Sequence, residues 1–127
     1  MKNLLKLCLL LFLTLLYSCS QHVDIDNVIW ENKGNNLSIL RNPSGKIIIG
    51  PAYIMLTKKN GFIIGNATGR EGTFFFAIKL KDFSIVKSAD FFTILKVTQF
   101  KDSSIINDFV TFGDLKGQWS KCSKLKD

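Results

Sequence analysis

The chain has 127 residues, 46% of them hydrophobic, with 17 lysines and arginines against 10 acids and a formal charge of +7. That length holds one small domain beside any leader and excludes two. Beyond the first positions the basic residues are scattered from Lys33 to Lys126 without a basic–aromatic motif, so no nucleic acid is expected as a partner.

Met1 to Lys6 carries two lysines, Leu7 to Leu16 is an almost unbroken apolar run, and polar Ser20-Gln21-His22 follows Cys19. A charged start, an apolar stretch and a small residue at its end are the order of a secretory signal peptide. The apolar stretch from Leu4 to Tyr17 is shorter than the ~20 residues that a bilayer core requires, which argues against an uncleaved membrane helix. Leu16-Tyr17-Ser18-Cys19 resembles the lipobox of bacterial lipoproteins. The resemblance implies cleavage after Ser18 and a diacylglycerol in thioether linkage to Cys19, usually with a third chain on the freed amine. Two or more chains anchor a protein stably, whereas one holds it only reversibly. Serine rather than aspartate after the cysteine implies, by resemblance to enteric-type lipoproteins, the outer membrane facing the periplasm. Cleavage after Ser20 is the other reading and gives a soluble exported protein.

On the lipoprotein reading residues 1–18 are the signal peptide, 19–27 the lipidated N-terminus and tether, and 28–127 a single globular β-rich domain. Loss of Lys2 and Lys6 with the signal takes the formal charge from +7 to +5. Cys8 leaves with the signal and Cys19 carries lipid, so Cys122 is left without a partner for an internal disulfide.

Val28-Ile29-Trp30 opens the domain, and Glu31 to Asn36 forms a turn cluster before the candidate strand Leu37 to Arg41. Asn42-Pro43-Ser44-Gly45 is a turn in which proline fixes φ. The strand resumed at Lys46-Ile47-Ile48-Ile49 is broken by Gly50-Pro51, which indicates a bulge or corner. Tyr53 to Thr57 and Phe62 to Gly65 flank Lys58-Lys59-Asn60-Gly61, where Asn-Gly supplies the positive φ of a tight hairpin. Gly65 to Gly72 reads as a hairpin loop, and Phe74-Phe75-Phe76 begins a strand apolar on both faces, predicted to be central and covered on each side.

Ser88-Ala89-Asp90 has the character of a helix N-cap ahead of Phe91, Ile94, Leu95 and Thr98 at helical spacing, while the alternation Phe92-Ile94-Lys96-Thr98-Phe100 makes a strand the other reading. A second short helix is predicted over Ser104 to Phe112, ended by Gly113. The expected fold is α+β, an antiparallel β-sheet of about five strands with one or two short C-terminal helices. An all-β sandwich or barrel is the alternative.

Catalytic groups are scarce in this pattern. His22 is the single histidine and falls on the predicted tether, where no rigid pocket can orient it. Asp82, Asp90, Asp102, Asp108 and Asp114 occupy turn, cap or helix-surface positions. No enzyme activity, metal or cofactor is therefore expected, and no catalytic residue is assigned. The segment Gly65-Asn66-Ala67-Thr68-Gly69-Arg70-Glu71-Gly72 lacks the Gly-Lys-Ser/Thr ending of a phosphate loop. Its functional reading is a recognition loop in which Arg70 and Glu71 meet a partner, since loops on rigid sheets commonly carry function.

The middle of the chain, Gly61 to Gly65 through Phe74 to Leu80, resembles small bacterial proteins that act as immunity partners of antagonistic toxins. The resemblance implies inhibition by occlusion, with a protein partner in the envelope and a membrane contact through the lipid on Cys19. A structural or assembly lipoprotein of the envelope is the alternative.

Overall fold

The computed structural model describes residues 3–6, 8 and 22–115 of the protein. Cys19, Trp119 and Cys122 lie outside the described residues. Residues 3–6 and 8 are helical, and Cys8 is an exposed free thiol. Among the described residues no helix is long and apolar enough to cross a membrane.

Eight strands join in one open antiparallel sheet: β1 (His22–Ile25), β2 (Val28–Gly34), β3 (Leu37–Arg41), β4 (Ile47–Lys59), β5 (Phe62–Gly69), β6 (Gly72–Lys79), β7 (Ile85–Ser88) and β8 (Val110–Thr111). The first seven pair in sequence order, and β8 pairs with β4. Beyond the helical residues near the start of the chain, helix α1 (Phe91–Thr98) and 3-10 turns at Ser103–Asp108 and Gly113–Leu115 complete a β-rich α+β fold.

Short turns set this meander. Asp26-Asn27, Asn35-Asn36 and Asn60-Gly61 all take positive φ, the conformation that matches the twist of two-residue hairpins. The tether expected to run to residue 27 is shorter, because His22-Val23-Asp24-Ile25 alternates half-buried and buried positions and pairs with β2. Val23 and Ile25 gain more by burial than a solvated linker would allow. Glu31 to Gly34 extends β2 and leaves only Asn35-Asn36 as the turn. These additions, with β7 and β8, raise the expected five or so strands to eight.

β4 carries the chain around a corner. Its first half, up to Ala52, pairs with β3, and from Tyr53 onward it pairs with β5. Gly50 stands at the corner with φ +93, before a cis Gly50–Pro51 bond, and a Cβ there would come within 2.4 Å of the Ser38 carbonyl oxygen. No side chain fits, which explains the Gly-Pro break in the apolar run.

The corner lets the sheet fold over itself. Val23, Ile25, Val28, Trp30 and Leu40 from β1–β3 pack with Ile54, Leu56, Ile63, Phe76 and Ile78 from β4–β6. Trp30 is fully buried there, its Nε1–H donating to Ser38 Oγ at 2.9 Å and its ring edge-on to Phe112 with centroids 5.3 Å apart. The opposite face of β4–β7 holds Ile64 and Ala77, with Phe75 partly buried, under Ile94 and Leu95 of α1 and Ile105 and Phe109 of the following segment. The phenylalanine run therefore serves two layers, Phe74 and Phe76 toward the folded-over sheet and Phe75 toward α1, as its doubly apolar pattern predicts.

Asp90 caps α1 by accepting from Phe92 N–H at 3.0 Å, and Gln99 ends it in the left-handed region. The second predicted helix is a 3-10 turn capped by Asp102 and followed by β8.

Candidate functional site

The Gly-rich segment is mostly strand. Gly65 to Gly69 belongs to β5, Gly72 opens β6 opposite Gly69, and only Arg70 and Glu71 form the turn. Gly65 is not a loop residue because of packing: a Cβ there would lie 2.2 Å from the Met55 carbonyl oxygen and 2.9 Å from the Phe76 ring. Its glycine marks a close approach of two strands and an aromatic ring, not conformational freedom. At the turn, Gly72 takes φ +107 beyond Glu71, and the hydroxyls of Thr68 and Thr73 hydrogen-bond at 3.0 Å beneath it.

Arg70 and Glu71 stand at the rim of a cleft of about 600 Å³. One wall is the β4 corner, Gly50 to Ala52, with Leu37 at the start of β3. The other wall is Phe74 of β6 and Lys87 of β7. Lys87 Nζ lies 5.4 Å from the centroid of the Phe74 ring, within reach of a cation–π contact. The cleft thus has an apolar floor of Leu37, Pro51, Ala52 and Phe74, with two cations and one carboxylate around it. Among the described residues, neither Arg70, Glu71 nor Lys87 has an ion pair. A cleft of this size and lining, with a few polar groups at its edge, suits a ligand or a partner's side chains.

Of the residues that line this cleft, the sequence reading named Arg70 and Glu71 and did not name Leu37, Pro51, Phe74 or Lys87. The available signal was the Gly50-Pro51 break, which marks the corner that brings β3 and β6 to one cleft. A second cleft of about 410 Å³, on the β8 side of β4, is lined by Asn35, Asn36, Tyr53 and Gly113. Its lining is more polar than apolar, and no charged side chain among the described residues contributes to it.

The other sequence candidates sit elsewhere. His22 begins β1 opposite Glu31, half-buried, rather than on a tether. Among the described residues, no group of three or more histidines, cysteines or acids gathers as a metal site would require. The perturbed acids are structural. The Arg41 guanidinium, hydrogen-bonded at 2.8 Å, holds Glu31 below the usual carboxylate range, with Lys33 adding to it and partial burial opposing. Asp82, Asp102 and Asp114 are lowered by hydrogen bonds from Ser84, Ser104 and Thr111 that shape turns and caps.

No protein-family model matches the chain, nor does any curated protein or any solved structure.

Proposed function

We propose that this protein is a lipid-anchored binding protein of the bacterial envelope, held by Cys19 and engaging a protein partner through the cleft end of its sheet. The observation that carries the reading is the pair Arg70 and Glu71, without an ion pair among the described residues, at the tip of a two-residue turn beside an apolar cleft. Charges on a rigid hairpin with no internal partner contribute little to folding and are placed for recognition.

The anchor supports the same reading. β1 begins at His22, three residues beyond Cys19, so an extended link spans only about 10 Å. Lipidation would hold the domain against the bilayer, in the outer membrane facing the periplasm. Occlusion of an antagonistic effector, as an immunity protein, is the specific form proposed, and it requires neither catalysis nor a cofactor. An assembly role has one observation in its favour, the exposed aromatic ring of Phe92 on α1, 68% exposed on the layer opposite β1–β3.

Co-purification from solubilised membranes separates the two. A single stoichiometric toxin-like partner, lost with Arg70→Ala/Glu71→Ala, is the expected result. Recovery of constitutive envelope proteins only, retained by that variant and lost with Phe92→Ser, would replace immunity by assembly. Cys19→Ser should release the protein from membranes and abolish protection; full protection by the released form would remove the anchor from the function.

A further inference from the structure

β4 offers one side of its first half to no strand. Between Ile47 and Ala52 it pairs with β3, through Arg41↔Ile47, Leu40↔Ile49 and Ser38↔Ala52. On its other side β5 pairs only from Tyr53↔Thr68 onward. β5 stops at Gly69, where a Cβ would lie 3.6 Å from the Pro51 carbonyl oxygen, and the chain turns away through Arg70 and Glu71. Among the described residues nothing pairs with β4 beyond that point. The register with β3 shifts between Arg41 and Leu40 and again between Leu40 and Ser38, so the N–H and C=O groups of Ile47 to Gly50 that β3 does not take up face the position that β5 vacates at irregular rather than alternate intervals.

This edge differs from the others. β1 carries His22 and Asp24 and β7 carries Lys87, the polar side chains that blunt a free edge. Ile47-Ile48-Ile49-Gly50 has no charge, with Ile47 43% exposed and Gly50 exposed. The cleft opens at its end, where Pro51, Phe74 and the cations Arg70 and Lys87, neither in an ion pair among the described residues, stand against the single carboxylate of Glu71.

We propose that the Ile47–Gly50 edge is the docking line for an extended acidic segment of a protein partner, which adds to β4 as an antiparallel strand in line with β5. The backbone of the segment bonds to β4, an apolar side chain rests on Pro51 and Phe74, and a carboxylate meets Lys87 and Arg70. Strand addition gives affinity through the main chain and specificity through the cleft. The excess of cations at the rim selects an acidic occupant and disfavours a second copy of this basic chain. The proposal rests on the binding reading above and names the chemistry of its partner.

The test uses the full chain in zwitterionic nanodiscs, with the probe acetyl-Glu-Val-Phe-Val-Glu-amide and its counterpart with glutamine at both glutamates. Hydrogen exchange is followed residue by residue. The acidic probe should slow exchange at Ile47 to Gly50. The glutamine probe, or Lys87→Glu with Arg70→Glu, should weaken binding about tenfold. Unchanged exchange at Ile47 to Gly50, or equal binding of the two probes, overturns the proposal. So does protection that appears without probe and grows with protein concentration, since a second copy then takes the edge. A partner that co-purifies through Arg70 and Glu71 while the probe leaves the edge unprotected would sink strand addition and keep the binding reading. Protection of the edge with no co-purifying envelope protein would do the reverse.

Discussion

The two ends of β5 are built alike and tied differently. At one end Asn60-Gly61 turns the chain, and the turn is locked to its surroundings. Leu80 N–H donates to the Gly61 carbonyl at 2.9 Å, Phe62 meets Phe100 edge-on at 6.4 Å, and Lys58 pairs with Asp26 of the β1–β2 turn. That end is fastened to the folded-over sheet on one side and to the segment after α1 on the other. At the opposite end Arg70-Glu71 turns the chain with only the Thr68–Thr73 hydrogen bond beneath it, and its charges have no partner among the described residues. Both ends are held on the same strand, so the difference is not one of support. At the closed end Lys58 is tied into the fold through Asp26; at the open end Arg70 and Glu71 have no ion pair among the described residues.

Gly65→Ala gives the largest effect expected, because it strikes the strand that carries both ends. The added Cβ meets the Met55 carbonyl, Leu56 Cβ at 2.8 Å and the Phe76 ring, and a backbone oxygen cannot step aside as a flexible side chain can. A loss of about 3 kcal/mol is expected, read as a lower urea midpoint at unchanged slope. A near-neutral result would mean that β5 and β6 are not packed as closely as described. Asp26→Ala comes next and tests the closed end alone. It removes the Asp26 carboxylate from Lys58, only 14% exposed, and puts an alanine at φ 48, at a combined cost of about 1.5 kcal/mol.

The parts of the fold legible in the sequence were those fixed by neighbouring residues. Asn60-Gly61 announced its hairpin, Phe74-Phe75-Phe76 a strand covered on both faces, and Asp90 a cap. β1 was missed because four residues of alternating pattern shortly after a long apolar run look like linker until β2 is known to pair with them. Gly65 misled for a related reason: the sequence shows a glycine, whereas the need for it comes from Phe76 on another strand. Arg70 and Glu71 were legible as a turn. The cleft they overlook was not, since Leu37, Pro51, Phe74 and Lys87 come from four strands and meet only because β4 bends at Gly50.

Glu31 supplies an intermediate case, a charge that is paired yet partly exposed. Its side chain is 27% exposed and bridges Arg41 and Lys33. Its folded pKa lies below the unfolded value near 4.3, so its contribution is full above that pH and is lost as pH falls through the lower folded value. Glu31→Gln should therefore cost about 0.5 kcal/mol at neutral pH, with the gap to the wild type closing only below about pH 4. A gap that stays constant to pH 2 would show that geometry, not charge, is what the substitution removes.

Arg70→Ala with Glu71→Ala should have the smallest effect on folding, under about 0.5 kcal/mol, because neither side chain has an ion pair among the described residues. The same double variant should lose capture of the partner, and the two readouts together decide the comparison. Unchanged stability with lost binding assigns the open end to recognition. A destabilisation matching Asp26→Ala would mean that the turn depends on its charges after all, and the two ends of β5 would then differ in exposure but not in role. Lost stability with retained binding would move the partner away from the cleft altogether. Because Thr68 and Thr73 hold the turn beneath the substituted residues, the hairpin itself should keep its register, so changes in exchange at Gly69 and Gly72 serve as the internal control.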